Sequence, residues 1–140
     1  MRRGTTLVEI LLSLVLLSLL LGIALPRFAA MRDQLAVGAE AGRIAAAHRR
    51  ARITAILQSR PVVLTISPDS LTLAAEADSA VRWIEAGPAA HGVTLAGGIK
   101  KITFSPIGIT TGVSNATFRL TRGEASRTVV VSRLGRLRIQ

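Results

Sequence analysis

Cysteine is absent from this chain of 140 residues, and aromatic residues are scarce: one tryptophan, three phenylalanines and no tyrosine. Without cysteine the protein has no disulfide, no thiolate ligand for a metal and no cysteine nucleophile. So few aromatic side chains argue against a module that stacks nucleic-acid bases on an aromatic platform. The composition therefore disfavours both thiol chemistry and base stacking.

Histidine is nearly as rare, and its two copies show no pattern of a catalytic or metal site. His48 lies in an arginine-rich stretch, and His91 stands beside a glycine. Neither has cysteines or paired carboxylates at a ligand spacing. We expect both to be surface or packing residues. We also expect no catalytic residue, no metal site and no cofactor, so the chain is not predicted to be an enzyme.

Arginine, by contrast, is abundant, and the formal net charge is +10. All 18 basic residues except Lys100 and Lys101 are arginines. Residues 27–60 and 119–138 each carry a local net charge of +5, and the stretch between them is near neutral. Arginine suits phosphate and carboxylate groups, although a basic balance alone implies only weak attraction to anionic partners.

A long apolar run occupies residues 7–25, interrupted only by Glu9, two serines and a glycine. At about 1.5 Å per residue this run gives a helix of roughly 28 Å, enough to cross a bilayer core. A cleaved signal peptide is one alternative, but the run is longer than usual and no good small-x-small site follows it. The other alternative is a plain membrane anchor in which water at the membrane interface solvates Glu9.

Glu9 is informative because a carboxylate within a membrane needs a partner. Cleavage after Gly4 would leave a chain beginning at Thr5, and its new α-amine can pair with Glu9 of a neighbouring subunit. Opposite charges about 4 Å apart attract by roughly 4 kcal/mol at an effective dielectric near 20, and by less after desolvation. On this hypothesis Glu9 sets the axial register between assembled subunits.

Helical patterning continues from the apolar run to about Ser59, and Arg60-Pro61 ends it. Pro26 is the predicted position of a kink. At 100° per residue, six apolar residues point in one direction within about 20° and form a stripe, and Ile44 and Arg52 point away from it. The stripe consists of Phe28, Leu35, Ala39, Ala46, Ile53 and Leu57.

After Pro61 the chain changes to short β-branched runs separated by turn formers, which is typical of a small antiparallel assembly. Phe118 and Leu120 alternate with Arg119 and Thr121, which indicates a half-buried strand. Trp83 is interpreted as a core residue. The runs are "PVVLTI", "SLTLAA", "AVRWIE", "GVTLAG", "IKKITFSPIG", "ATFRLTR" and "RTVVVSRLGRLRI".

These patterns predict an α+β fold: a long N-terminal α-helix, transmembrane in its first half, packed on a small antiparallel β-rich C-terminal domain. We divide the chain into four segments. Residues 1–4 are a leader peptide and 5–26 a transmembrane helix. Residues 27–60 continue as an amphipathic helix, and 61–140 form the β-rich domain.

The N-terminal residues resemble those of type IV pilins and type II secretion pseudopilins. The resemblance rests on Gly4, the apolar residues after Thr6, Glu9 at the fifth position of the cleaved chain, and Pro26. It implies that a prepilin peptidase cuts between Gly4 and Thr5 and methylates the new N-terminus. Thr5 stands where the family usually has phenylalanine. Thr5, Glu9 and Pro26 are then the assembly residues.

The C-terminal part narrows the resemblance to the GspH/FimT family, in which a Phe-x-Pro-x-Gly turn precedes a hairpin and a Gly-Arg-x-Arg strand closes the fold. The corresponding residues here are Phe104, Pro106 and Gly108, followed by Gly135, Arg136 and Arg138. The family fold is a long helix packed on a β-sandwich-like pair of small sheets.

Members of this family are minor subunits of a tip complex that primes a type II secretion pseudopilus or a type IV pilus. The resemblance implies other pilins as partners and a single-pass inner-membrane location with the C-terminal domain in the periplasm. The alternative function is that of a FimT-type subunit that binds double-stranded DNA during DNA uptake. Its candidate residues are Arg136 and Arg138, with Arg133, Arg127, Arg122 and Arg119 nearby.

Overall fold

The computed structural model describes residues 6–77, 80–111, 116–132 and 134–140. Within these ranges lie one α-helix, α1 at Leu7–Gln58, and a 3₁₀ helix at Pro88–His91. The strands are β1 Val62–Ile66, β2 Ser70–Ala75, β3 Val81–Ala86, β4 Thr94–Ala96, β5 Lys100–Phe104, β6 Thr110–Thr111, β7 Ala116–Arg122, β8 Ala125–Val131 and β9 Leu137–Ile139.

The chain divides into two compact units between Arg32 and Asp33. The described part of the first unit is helical from Leu7, and its residues are exposed. Helix α1 is long and apolar enough near its N-terminus to cross a membrane. Pro26 lies inside α1, and the helical assignment runs through it.

Helix α1 ends where the sequence predicts. Ser59 adopts a left-handed conformation with φ of 48°, and the Arg60 amide donates to the Ala55 carbonyl at 3.3 Å. The Ala55 carbonyl, one of those that a helix C-terminus leaves without a partner inside the helix, thereby receives a hydrogen bond. Pro61 then forces extended backbone, and β1 begins at once.

Two antiparallel sheets make up the second unit together with the later part of α1. The first has the order β3-β2-β1-β5-β6, and the second has the order β4-β7-β8-β9. Strands β2 and β7 match the predicted runs residue for residue. The last predicted run is two strands, because a turn around Gly135 reverses the chain between β8 and β9.

The core lies where α1 and the inner faces of both sheets meet. Apolar burial is the main stabilising contribution in such a small domain. The helix supplies mostly small side chains, and the strands supply larger aliphatic and aromatic ones. Fully buried members include Ala41, Ile44, Ala51, Leu64, Phe104, Phe118, Leu120 and Val129.

The apolar stripe seen in the sequence of α1 is not the face that packs on the sheets. Phe28, Leu35, Ile53 and Leu57 are 71%, 64%, 54% and 79% exposed, whereas Ile44, predicted to point away, is fully buried. The reason is size. Because alanines allow the helix backbone to approach the sheets closely, the face that packs holds few large side chains. Large apolar side chains decide where a stripe is drawn from the sequence, so the stripe falls on a different face.

Trp83 also differs from its predicted role as a core residue. It lies half-buried on β3, which is the edge strand of the first sheet, and it packs against the margin of the core. The guanidinium carbon of Arg50 lies 5.0 Å from the ring centroid. This cation–π contact covers one face of the indole ring.

Candidate anion-binding site

The Phe-x-Pro-x-Gly segment forms a turn between β5 and β6 that packs against α1. The Ser105 amide donates to the Ile109 carbonyl at 2.8 Å, and the Gly108 amide donates to the Ser105 carbonyl at 2.8 Å. Gly108 has φ of 76°, and a Cβ there would lie 2.7 Å from Cδ1 of Ile56. The left-handed conformation therefore favours glycine, and a Cβ would displace the end of the Ile56 side chain.

The Gly-Arg-x-Arg segment lies beside this turn. A Cβ at Gly135 would lie 3.7 Å from the Gly108 carbonyl oxygen and 3.6 Å from Cγ2 of Thr110. The β8–β9 turn is closed by the Ser132 amide, which donates to the Arg136 carbonyl at 2.9 Å. The two motif segments, separated in sequence, thus meet where the second sheet approaches β6 and α1.

A cavity of about 340 Å³ opens next to this meeting point, and we call it the arginine cavity. It lies between α1 and the start of β9. Its lining includes three arginines, two from the helix and one from the motif. The lining residues are Ala45, His48, Arg49, Arg52, Gly135, Arg136 and Leu137.

Among the residues that the structure describes, no carboxylate forms an ion pair with Arg49, Arg52 or Arg136. Arg43 and Arg122 differ, since each has an acidic partner within 4.0 Å. Three guanidinium groups without counter-charges around one concave space create a positive potential there.

His48 belongs to the same cavity and is confirmed as a packing residue. It is 3% exposed, and its ring meets that of Phe104 edge-on, with centroids 5.0 Å apart. Burial, followed by the charges of Arg52 and Arg49, lowers the pKa of His48 from 6.5 to about 4. The imidazole is therefore neutral at pH 7, and its buried Nε2 has no hydrogen-bond partner among the described residues.

Two of the predicted DNA-binding arginines share the outer face of the second sheet. Arg119 is paired in register with Thr128, and Arg138 with Val130. Thr128 and Val130 alternate with buried core residues of β8, so these partners point outward. Arg119 and Arg138 are both exposed and extend the positive surface beyond the arginine cavity.

Arg122 and Arg127 lie elsewhere. Arg122 forms an ion pair with Asp33 at 2.9 Å and donates to the His91 carbonyl at 2.8 Å, so its guanidinium already has partners. Arg127 pairs in register with buried Leu120 and lines a separate cavity with Gln34 of α1. The remaining candidate, Arg133, lies outside the described residues.

A polar cluster around the buried Glu40 joins α1 to the 3₁₀ helix, and it was missed from the sequence. Glu40 is 2% exposed, and its Oε1 lies 3.1 Å from Nδ1 of His91. Arg43 donates to Nε2 of His91 at 2.9 Å, a pattern that fits a proton on Nδ1. The sequence signal was an acid between Val37 and Ile44 on the face that packs.

The residues predicted to act in processing and assembly belong to the first unit. Glu9 lies in the first turn of α1, where its amide donates to the Thr6 carbonyl at 3.0 Å. A carboxylate there is favoured by the helix dipole. Gly4 and Thr5 lie outside the described residues.

The sequence prediction also missed Arg49 and Arg52. Their spacing of three places them on one helix face, and the excess charge of residues 27–60 was visible. What the sequence does not contain is their proximity to Arg136, which depends on how the second sheet packs on α1.

Comparison with known proteins identifies the class. A family model described as Type II transport protein GspH matches residues 40–135, more than half of the chain. This match and the α+β pilin fold define a pseudopilin or minor pilin of the GspH/FimT type. The chain belongs to the GspH family.

Solved structures support the fold. The chain is similar to the type IV minor pilin FimU of Pseudomonas aeruginosa in two crystal forms. The first has 19% identity, a TM-score of 0.63 and coverage of 74% of this chain and 87% of FimU. The second has 18% identity, a TM-score of 0.61 and coverage of 74% and 91%. No curated protein matches the sequence.

Proposed function

We propose that this protein is a minor pseudopilin, a structural subunit of the complex that initiates and tips a type II secretion pseudopilus or a type IV pilus. The observation that carries the proposal is the combination of GspH-family membership with a membrane-capable helix that has Glu9 in its first turn. Its partners are other pilins, and its location is the inner membrane with the β-rich domain in the periplasm.

The proposal includes the processing step. A prepilin peptidase removes residues 1–4 and methylates Thr5, residues 5–26 remain in the membrane, and Glu9 pairs with the free N-terminus of a neighbouring subunit. Pro26 lies at the end of the membrane segment. An intramembrane carboxylate is costly alone, so this pairing favours one axial register over the others.

The uncovered apolar residues of α1 support assembly with other subunits. Leu35, Ile53 and Leu57 are exposed in the single chain, and all three lie after the membrane segment. Exposed apolar residues that recur along one helix face mark a site of protein contact. The occupant we propose is the α1 helix of a neighbouring pilin.

The test is a Glu9→Leu variant expressed with its partner subunits. We expect cleavage and membrane insertion to continue but co-purification of partner pilins to fall by an order of magnitude or more, because the charge pair is lost. Ser13→Leu, which removes a polar group from the same segment, is the matched control. N-terminal sequencing of assembled protein should start at Thr5. A retained leader, or wild-type co-purification by Glu9→Leu, would contradict the proposal.

A second candidate function is binding of double-stranded DNA in DNA uptake. Arg119 and Arg138 on one exposed sheet face, next to Arg136 at the arginine cavity, favour it. Arginines on such a surface contact phosphates without reading sequence, and the binding is salt-sensitive.

A gel-shift series with the full-length protein in detergent tests this second function. We expect Arg136→Ala with Arg138→Ala to remove most binding. Arg60→Ala with Lys101→Ala, an equal change of charge at exposed residues outside the cavity and the second sheet, should bind nearly as well as the parent. Equal binding by the two double variants would exclude the C-terminal arginines as the binding surface.

A further inference from the structure

We propose that the arginine cavity is a docking pocket for one phosphate group of a nucleic-acid backbone, held by Arg49 and Arg52 of α1 together with Arg136. This inference rests on the second candidate function and deepens it. It assigns to the helix a part in binding that the C-terminal motif alone does not indicate.

The shape of the site comes from both layers of the domain. Arg49 and Arg52 lie three residues apart on α1, and Arg136 reaches the same space from the β8–β9 turn. Ala45 contributes only a methyl group to the wall, so the space between the arginines stays open. A cavity of about 340 Å³ has room for a phosphate group and accompanying water.

The chemistry of the lining selects an anion. Arginine forks donate paired hydrogen bonds to phosphate oxygens, and these three have no acidic partner among the described residues. The neighbouring Arg50 is instead engaged over Trp83. A bound phosphate would supply the counter-charge that the protein does not.

His48 is the independent observation that points to a ligand. Its ring is buried and lines the cavity, yet Nε2 lacks a partner in the described part of the chain. A buried polar atom without a hydrogen bond is unfavourable, and a phosphate oxygen would accept from Nε2–H. His48 thus adds a neutral side chain with an unpaired polar atom to a lining that carries three cations.

The surroundings favour a nucleic acid over an acidic protein as the source of the phosphate. Arg119 and Arg138 continue the positive surface on the outer face of the second sheet, and residues 119–138 carry a net charge of +5. A polyanion with regularly spaced charges can contact the cavity and this face together, whereas a single carboxylate side chain cannot.

The experiment measures binding of a 30-base-pair duplex to the full-length protein in detergent across a salt series. Arg49→Gln with Arg52→Gln should weaken binding about tenfold or more and make the slope of log K against log salt shallower by about 0.9, the value for one phosphate contact. The matched control is Arg50→Gln with Arg60→Gln, the first on α1 and the second just after its C-terminus, both outside the cavity. It should change affinity less than about threefold. Equal losses in both double variants would overturn the pocket in favour of diffuse attraction.

A direct readout comes from ¹⁵N-histidine NMR, with His91→Gln used to assign the two signals. We expect the His48 ring resonances to shift when duplex is added. Duplex binding without this shift overturns the pocket and leaves DNA binding standing. A shift with inorganic phosphate or an acidic peptide, but none with duplex, overturns the nucleic-acid assignment. Absence of duplex binding by the parent overturns both.

Discussion

Two buried polar side chains on α1, Glu40 and His48, show how a single residue can be accommodated in different ways. Glu40 contacts His91 and Arg43 through Oε1, which partly compensates its burial, whereas its Oε2 has no partner among the described residues. His48 has arginines nearby and no acid, and it avoids the cost of a buried charge by staying neutral. The two residues therefore differ in how the fold accommodates a polar group on the packing face.

For His48 the expected response is a loss of stability as the pH falls. Its pKa of about 4 in the folded chain lies below the ordinary 6.5, so the unfolded state takes up a proton first and stability decreases from pH 6.5 downward. Between pH 7 and pH 5 this amounts to about 2 kcal/mol at 1.36 kcal/mol per pKa unit.

The measurement is denaturant unfolding in detergent, followed by the fluorescence of Trp83, the only tryptophan in the sequence. His48→Gln should lose about 2 kcal/mol less than the parent over the same pH interval, whatever its stability at pH 7. Parallel pH dependence of the two proteins would show that His48 does not remain neutral in the fold.

At the scale of elements, the packing of α1 depends on small residues. Ala51 is fully buried against the sheets, whereas Ala46 lies on the exposed side of the same helix. Ala51→Leu should therefore lower the free energy of unfolding by about 1–3 kcal/mol through overpacking. Ala46→Leu should change it by less than about 0.5 kcal/mol. Unfolding curves of the two variants check this, and a reversed order would show that the apolar stripe, and not the alanine-rich face, packs on the sheets.

The strands were easier to predict than the helix face. Alternation of apolar and polar residues marks β7 directly, because one of its faces lies on the core, and β-branched runs bounded by turn formers mark the others. The helix gave no such signal, since its packing face is rich in alanine and holds Glu40 and His48. The buried and exposed faces of α1 differ in side-chain size and contact, which hydropathy does not measure.

At the scale of the whole molecule, the family could be predicted because its signals are local in sequence. Gly108, Gly135 and Arg136 each lie in a short recognisable segment, and GspH-family membership follows. The arginine cavity could not be predicted, because it exists only where α1 and the β8–β9 turn come together. A site divided between layers of a fold leaves no contiguous pattern.

The close approach of the Gly108 turn to Gly135 has a genetic consequence. Because these glycines join β6, the β8–β9 turn and α1, a substitution at either would perturb the architecture and the adjacent pocket at the same time. Loss of ligand binding after such a change would not identify the atoms that contact the ligand. Substitutions that remove a guanidinium group and keep both glycines separate the effect on ligand binding from the effect on the architecture. A lineage that no longer binds the ligand is therefore expected to lose its arginines and keep its glycines.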